Sequence, residues 1–160
     1  MAMPRVLFIG GTGVISAACA RQAVEAGFDL SVMNRGTTTV RPVPPGARVL
    51  IADIRDPQSV RQAVAGLEFE VVVDYLAFTP DHVRADLELL RGHVGQYIFI
   101  SSASAYQTPP ARLPVVESTP LRNPYSQYSR DKIACEDLLG PRLRCDDGPA
   151  GRGVPAGPPQ

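Results

Sequence analysis

The sequence has 160 residues, a size that suits a single globular domain. Its 16 basic and 16 acidic residues give a formal net charge of zero, which excludes the electrostatic signature of a protein that binds nucleic acid or an anionic membrane. No apolar run approaches the ~20 residues of a membrane span, and residues 1–5 lack a signal-peptide pattern. The three cysteines lack metal-ligand spacing, so we expect a reduced, cytoplasmic protein without a metal site.

The first predicted element is a buried strand followed by a glycine-rich turn. Residues 6–9 are all apolar, which is typical of a central parallel strand. The glycines let the backbone approach a ligand, and the next helix directs its free N–H groups to the same point. The pattern Gly10-x-x-Gly13-x-x-Ser16 is a variant of the dinucleotide-binding fingerprint, and a ligand-free glycine turn is the alternative. The residues expected to bind the cofactor here are Gly10, Gly11, Thr12, Gly13, Val14 and Ile15.

Strands and helices alternate along the rest of the chain. A helix is predicted over 14–26, with a periodic stripe of Val14, Ile15, Ala18, Cys19, Gln22, Ala23 and Ala26. Further strands are predicted at 30–33, 47–52, 71–73 and 96–100, and further helices at 57–65, 80–91 and 126–139. This alternation predicts an α/β, Rossmann-type doubly wound parallel sheet of order 3-2-1-4-5, with the cofactor at the switch between strands 1 and 4. Residues 140–160 are rich in glycine and proline, and we expect a disordered tail after a cofactor-binding domain at 1–139.

A second motif lies in the last predicted helix. Tyr128 and Lys132 are four residues apart and therefore share one helix face. A cation held beside a phenol stabilises the phenolate, which makes Tyr128 a candidate general acid or base. Ser102 follows the fifth strand, at the sheet edge where ligands of open α/β sheets bind. Taken singly, both the Tyr–Lys pair and the serine are also common in purely structural positions.

In combination, these motifs resemble the short-chain dehydrogenase/reductase superfamily, in its extended branch of NAD-dependent epimerases and dehydratases. The matching residues are Gly10 to Gly13, Asp53, Ala77, Ser101 to Tyr106, Glu117 to Pro120, and Tyr128 to Lys132. The resemblance covers about residues 4–139. It implies hydride transfer to and from a nicotinamide, acting on a nucleotide sugar or another hydroxyl or carbonyl substrate. It also implies a homodimer through the helices at 80–91 and 126–139.

The resemblance assigns roles to individual residues. Tyr128 would be the catalytic acid/base, and Lys132 would bind the nicotinamide ribose and support the Tyr128 phenolate. Ser102 would hydrogen-bond the reacting oxygen, with Ser101 and Ser104 as alternatives in register. The remaining cofactor contacts would come from Ala77, Asp53 and Ile54, the last two flanking the adenine. Asp53 is equally suited to a helix-entry role.

The end of the second strand bears on the choice between NAD and NADP. An acidic residue there would hydrogen-bond the ribose 2′-hydroxyl and favour NAD. This chain has Asn34 and Arg35, and a guanidinium can pair with a 2′-phosphate. The sequence therefore favours NADP, the alternative being a solvated arginine in a turn.

The chain departs from the family after the Tyr–Lys helix. Members of the branch continue with further strands and a C-terminal substrate domain, whereas the resemblance here ends near Leu139. The composition of 140–160 is what an out-of-frame reading of GC-rich DNA would give, so we hypothesise a truncated or frameshifted product. A genuine disordered C-terminus is the alternative. Three functions stay open: an epimerase, dehydratase or reductase; a non-catalytic NAD(P)-binding fragment or redox-sensing regulator; and a partly folded remnant.

Overall fold

The computed structural model describes residues 3–37 and 40–140, so the tail expected to be disordered lies outside the described residues from 141 onward. The observed bounds differ from the predicted ones by at most two residues. No helix in the described ranges has the length and hydropathy of a transmembrane span. In chain order the elements are β1 Arg5–Ile9, α1 Val14–Glu25, β2 Asp29–Asn34, β3 Arg48–Ile51, α2 Pro57–Val64, β4 Phe69–Asp74, α3 Pro80–Leu89, β5 Val94–Phe99, a 3-10 turn Ala103–Ala105, and α4 Gln127–Leu139.

The five strands form one parallel sheet in the order β3-β2-β1-β4-β5, which confirms the predicted topology. The register aligns the carboxyl ends of the strands. Ile9 lies opposite both Met33 and Asp74, and Asp74 lies opposite Phe99. The loops that follow β1, β2, β4 and β5 therefore meet at one edge of the sheet, where ligands of open α/β sheets bind. Within the described ranges, β5 pairs with β4 alone.

Helices cover both faces of the sheet, and the sheet divides the core into two clusters. On one face, α1 packs through Ala20 against Val6, Phe8 and other side chains of the central strands. On the other face, side chains of α2, α3 and α4 join Leu7 and Ile9 in the larger cluster. All four residues from Val6 to Ile9 are buried, as the prediction of a central strand requires.

The predicted apolar stripe of α1 is right only in part: Cys19 and Ala23 pack against the core, whereas the other five members are exposed. Val14 is 72% exposed and Ile15 is 66% exposed, whereas the buried positions are Ser16, Ala17 and Ala20. Small side chains face the sheet here because they let the helix backbone approach the strands closely. The larger apolar side chains of the first turn instead lie at the carboxyl edge of the sheet, beside the glycine turn.

Candidate functional site

The turn between β1 and α1 accepts only glycine at two positions. Gly10 has φ +84°, and a Cβ there would lie 2.7 Å from Cγ of Leu76. A Cβ at Gly11 would lie 2.4 Å from Cγ1 of Val32, a fully buried residue of β2. The backbone of the turn is therefore packed tightly against β2 and against the loop after β4.

Serine replaces the third glycine of the fingerprint with a gain of one hydrogen bond. Ser16 is buried, and its Oγ accepts a hydrogen bond from the N–H of Gly13 at 2.9 Å. The other N–H groups of the first helical turn have no partner within the helix and lie at its positive end. The turn and helix start thus form a cradle suited to a pyrophosphate.

A cleft of about 760 Å³ opens along the carboxyl edge of the sheet. It is lined by the glycine turn, the segments after β2, β3 and β4, the end of β5, and α4. Among the residues expected at the site, those that line it are Gly10, Thr12, Gly13, Val14, Ile15, Asn34, Arg35, Asp53, Ile54, Tyr128 and Lys132. Gly11 and Ala77 lie behind its surface, Gly11 against Val32 and Ala77 fully buried.

Tyr128 and Lys132 face the cleft from α4. Ser126 caps the start of this helix, because its Oγ accepts a hydrogen bond from the N–H of Ser129. The Tyr128 side chain is 46% exposed, whereas Lys132 is buried with Nζ 5.8 Å from the centre of the tyrosine ring. Lys132 Nζ donates to the carbonyl oxygens of Ala77 at 2.8 Å and Ile100 at 2.7 Å. Burial lowers the pKa of Lys132, and nearby acidic groups act in the opposite direction. The pair is a phenol at the surface with a fixed cation beneath it.

Ser102 lines a second cleft, of about 630 Å³, rather than the one that contains Tyr128. Ser101 lines both clefts. The hydroxyl of Ser102 is nevertheless connected to α4, because Ser104 Oγ lies 2.9 Å from Ser102 Oγ and accepts a hydrogen bond from Ser129 Oγ at 2.8 Å. Ser129 follows Tyr128 directly and is fully buried. The three serines link the loop after β5 to the helix that carries the tyrosine.

The loop after β3 is held by a contact between Arg55 and Asp86 that the sequence did not indicate. Arg55 Nη2 donates to Asp86 Oδ2 at 2.7 Å, and the N–H of Arg55 donates to Asp53 Oδ1 at 2.9 Å. Asp86 is fully buried on α3, and its Oδ1 has no hydrogen-bond partner among the described residues. Asp53 thus stabilises the turn that leads into α2, and Asp56 caps that helix. Asp53 also lines the cleft, so a role at the helix entry and a role in cofactor binding are compatible.

Two further polar residues of the cleft were also missed. Arg41 comes from the proline-rich loop after β2, which has no periodicity to mark it. His82 lies in the first turn of α3, where its Nδ1 accepts a hydrogen bond from the N–H of Phe78. Burial and the Arg55 guanidinium lower the pKa of His82.

We expect the stability of the protein to decrease between pH 5 and pH 7.5 through Asp86. Burial and the neighbouring Asp74 carboxylate raise the pKa of Asp86 to about 7, although the Arg55 guanidinium acts in the opposite direction. The native state therefore holds a proton that the unfolded chain releases near pH 4, and this stabilisation is lost as the pH rises through about 7. In urea titrations, wild type should lose about 2 kcal/mol relative to Asp86→Asn over this range, since one pKa unit corresponds to about 1.4 kcal/mol.

The comparison with Asp86→Asn removes the titration of this carboxyl together with its interaction with Asp74. His82 titrates in the same range with the opposite sign, but it is present in both proteins and cancels in the difference. Parallel stability profiles for the two proteins would show that Asp86 stays ionised beside Arg55.

Comparison with known proteins identifies the family of this chain. Residues 10–142 match the family model described as NAD(P)H-binding. The chain is 31% identical to UDP-glucose 4-epimerase of Streptomyces lividans, over 84% of this chain and 46% of that protein. It is 28% identical to UDP-glucose 4-epimerase of Lactobacillus helveticus, again over 84% and 46%. The chain therefore spans about half the length of these curated relatives.

Solved structures agree on the fold. UDP-glucose 4-epimerase from Brucella ovis, solved with NAD, superposes with a TM-score of 0.73 at 22% identity, over 86% of this chain and 47% of that one. The Bordetella bronchiseptica enzyme WbmH, solved with NAD+, superposes with a TM-score of 0.68 at 23% identity, over 87% of this chain and 53% of that one. With the family match, the glycine turn and the Tyr–Lys pair, this chain belongs to the NAD(P)H-binding family, among the extended short-chain dehydrogenases/reductases of the NAD-dependent epimerase/dehydratase type.

Proposed function

We propose that this chain binds NAD or NADP along the carboxyl edge of its sheet and supports epimerisation of a nucleotide sugar by hydride transfer. One observation carries the proposal: Tyr128 and Lys132 line the same cleft as Gly10 and Gly13. A cofactor whose pyrophosphate sits at the glycine turn would extend along this cleft toward the tyrosine. The turn fits such a ligand, because Gly10, Thr12 and Gly13 line the cleft at the start of α1, where the main-chain N–H groups of a helix can bind an anion. The names of the epimerase relatives supply the substrate class.

The chemistry divides between the cofactor and the chain. A nicotinamide dinucleotide held by the glycine turn and by Lys132 would supply the hydride chemistry at the sugar carbon. The Tyr128 phenolate takes the proton of the substrate hydroxyl, and the phenol so formed gives the proton back. Lys132 stabilises the phenolate from the same helix face and binds the ribose hydroxyls. Ser102, held through Ser104, is proposed to hydrogen-bond the reacting oxygen from the second cleft, which adjoins the first at Ser101.

The direct test is turnover of UDP-glucose by the purified chain. With NAD+ or NADP+ present, proton NMR should show the 4-epimer accumulating to equilibrium. The chain spans only half of its relatives, so cofactor titration by nicotinamide fluorescence accompanies the assay. Saturable binding without turnover of any nucleotide sugar would contradict the epimerase proposal and favour a non-catalytic NAD(P)-binding module.

We further propose that the chain prefers NADP, with Arg35 and Arg41 as the phosphate-binding residues. Both side chains are exposed and both line the cleft near the end of β2, where an adenosine ribose would lie. Arg35→Ala should weaken NADPH binding at least about tenfold and leave NADH binding unchanged, because a charge-assisted contact contributes about 1.5–3 kcal/mol. Arg61→Ala, in the last turn of α2, is the matched control. Equal affinity of wild type for the two cofactors would contradict the preference.

The proposal includes a homodimer and a cytoplasmic location. The dimer would form through α3 and α4, which neighbour each other on one face of the sheet. Cys19 and Cys135 are unpaired in the described residues, which suits a reducing compartment. Light scattering of the purified chain at micromolar concentration tests the dimer, and a monomer mass would exclude it.

A further inference from the structure

Asp74, the last residue of β4, is a fully buried carboxylate with three hydrogen bonds. Its Oδ1 accepts from the N–H groups of Leu76 at 2.7 Å and Ala77 at 3.0 Å. Its Oδ2 accepts from the Tyr97 hydroxyl at 2.6 Å. Burial and the Asp74 carboxylate raise the pKa of Tyr97 far above its ordinary value, so the phenol stays a donor. The carboxylate thus joins the loop after β4 to strand β5.

Both carbonyl groups that hold Lys132 belong to segments anchored on Asp74. Ala77, whose N–H is bound by the Asp74 carboxylate, accepts from Lys132 Nζ through its carbonyl oxygen. Ile100, the other acceptor, donates its N–H to the main-chain carbonyl of Asp74 at 3.1 Å. Since Nζ is buried and bound to these two oxygens, its position follows from the position of the two segments.

Asp74 is also connected to the glycine turn, through Leu76. Leu76, whose N–H also donates to Asp74 Oδ1, has the side chain that excludes a Cβ at Gly10. One buried carboxylate is therefore connected to the phosphate end of the cleft through Leu76 and to the lysine through Ala77.

We infer that Asp74 is a positioning residue for the site, whose carboxylate fixes the Leu76–Ala77 turn and thereby sets the place of the Lys132 ammonium beneath Tyr128. This inference rests on the proposed function for its catalytic meaning. Asp74 itself is faced by Tyr97 of β5 and by Asp86 of α3. The groups that raise the pKa of Lys132 are Asp74 from β4 and Cys135 and Glu136 from its own helix. Asp74 is the one of these that also orders the backbone acceptors.

The chain offers a direct probe, because Lys132 is the single lysine in its sequence. Lysine labelled with ¹³C at Cε and ¹⁵N at Nζ gives one NMR signal for the group in question, with no cofactor or substrate present. In wild type we expect slowly exchanging Nζ protons and a titration below the ordinary range of lysine. If the Nζ protons of wild-type Lys132 exchanged rapidly and the group titrated as lysine does in a peptide, the inference would be overturned before any variant was made.

Asp74→Asn then tests the carboxylate itself. We expect Lys132 to titrate at a lower pH than in wild type, its Nζ protons to exchange faster, and NADPH to bind about tenfold more weakly. Asp81→Asn removes the same charge from an exposed site on α3 and should leave the lysine signal unchanged. A variant that is less stable but keeps the wild-type lysine titration would show that Asp74 is only structural.

The outcomes separate this inference from the proposed function. A shifted lysine signal in a chain that does not turn over UDP-glucose would support the positioning role and contradict the epimerase. Turnover by Asp74→Asn at the wild-type rate, with an unchanged lysine titration, would leave the epimerase intact and remove the role of Asp74.

Discussion

Replacing Tyr128 with phenylalanine should abolish the epimerisation proposed for this chain while leaving the fold and cofactor binding intact. General acid–base catalysis by a positioned side chain contributes about 10²–10⁴-fold, and the turnover rate should fall by that factor. The ring stays in place because its neighbour Phe78, with ring centres 6.3 Å apart, contacts carbon atoms that the substitution does not remove. The Tyr128 side chain is 46% exposed, so loss of its hydroxyl should change the midpoint of thermal unfolding little.

Tyr125 provides the matched control. It is 75% exposed, precedes α4, and does not line the cleft. Tyr125→Phe should retain wild-type turnover, with NADPH affinity measured in parallel for both variants. Equal turnover by the two variants would remove the acid–base role of Tyr128, and weak NADPH binding by Tyr128→Phe would assign the residue to cofactor binding instead.

The fold was predictable because its strongest signals are local. The apolar run at residues 6–9 and the β-branched run at 71–73 each mark a strand buried on both faces. Glycine and proline residues mark the ends of most elements, and alternation of strands and helices then restricts the sheet order. Four-residue spacing placed Tyr128 and Lys132 on one helix face, and the structure brings that face to the cleft.

The face of α1 was not predictable from periodicity. A period of 3.6 residues reveals that a helix has an apolar side, but Val14 and Ile15 occupy the side that faces the cleft. The buried positions are Ser16, Ala17 and Ala20, with Cys19, Ala23 and Val24 packed beside them. The small size of the buried side chains matters only because the sheet lies close to the helix. An apolar side chain beside a ligand site and one in the core have the same pattern in sequence.

The network around Asp74 was equally hidden, because its partners are distant in the chain. Tyr97 is 23 residues away, and the contact between Ala77 and Lys132 spans 55. A single aspartate at the end of a strand gives no sign of whether it faces solvent, cofactor or core. The position of Ser102 in the second cleft likewise depends on the 3-10 turn after it, which adjacent serines do not specify.

Replacing Gly11 with alanine should cost about 3 kcal/mol of unfolding free energy and lower the thermal midpoint by about 10 °C. The new Cβ would lie 2.4 Å from Cγ1 of Val32, closer than any real contact allows. Val32 is fully buried between β1 and β3 and has no room to retreat. The strain must therefore separate the turn from β2, and NADPH affinity should fall with it.

Two other glycines make the result specific. Gly66 has φ +71° with open space around its Cβ position, so Gly66→Ala should cost only about 1 kcal/mol, from backbone strain alone. At Gly13, where φ is −74°, a Cβ would lie 3.1 Å from Ser16 Oγ. Gly13→Ala should therefore fold nearly as well as wild type but bind NADPH more weakly, since the methyl group projects at the helix start that faces the cleft. If Gly11→Ala were as stable as Gly66→Ala, the turn could not be packed on Val32, and the close approach on which the phosphate cradle depends would be absent.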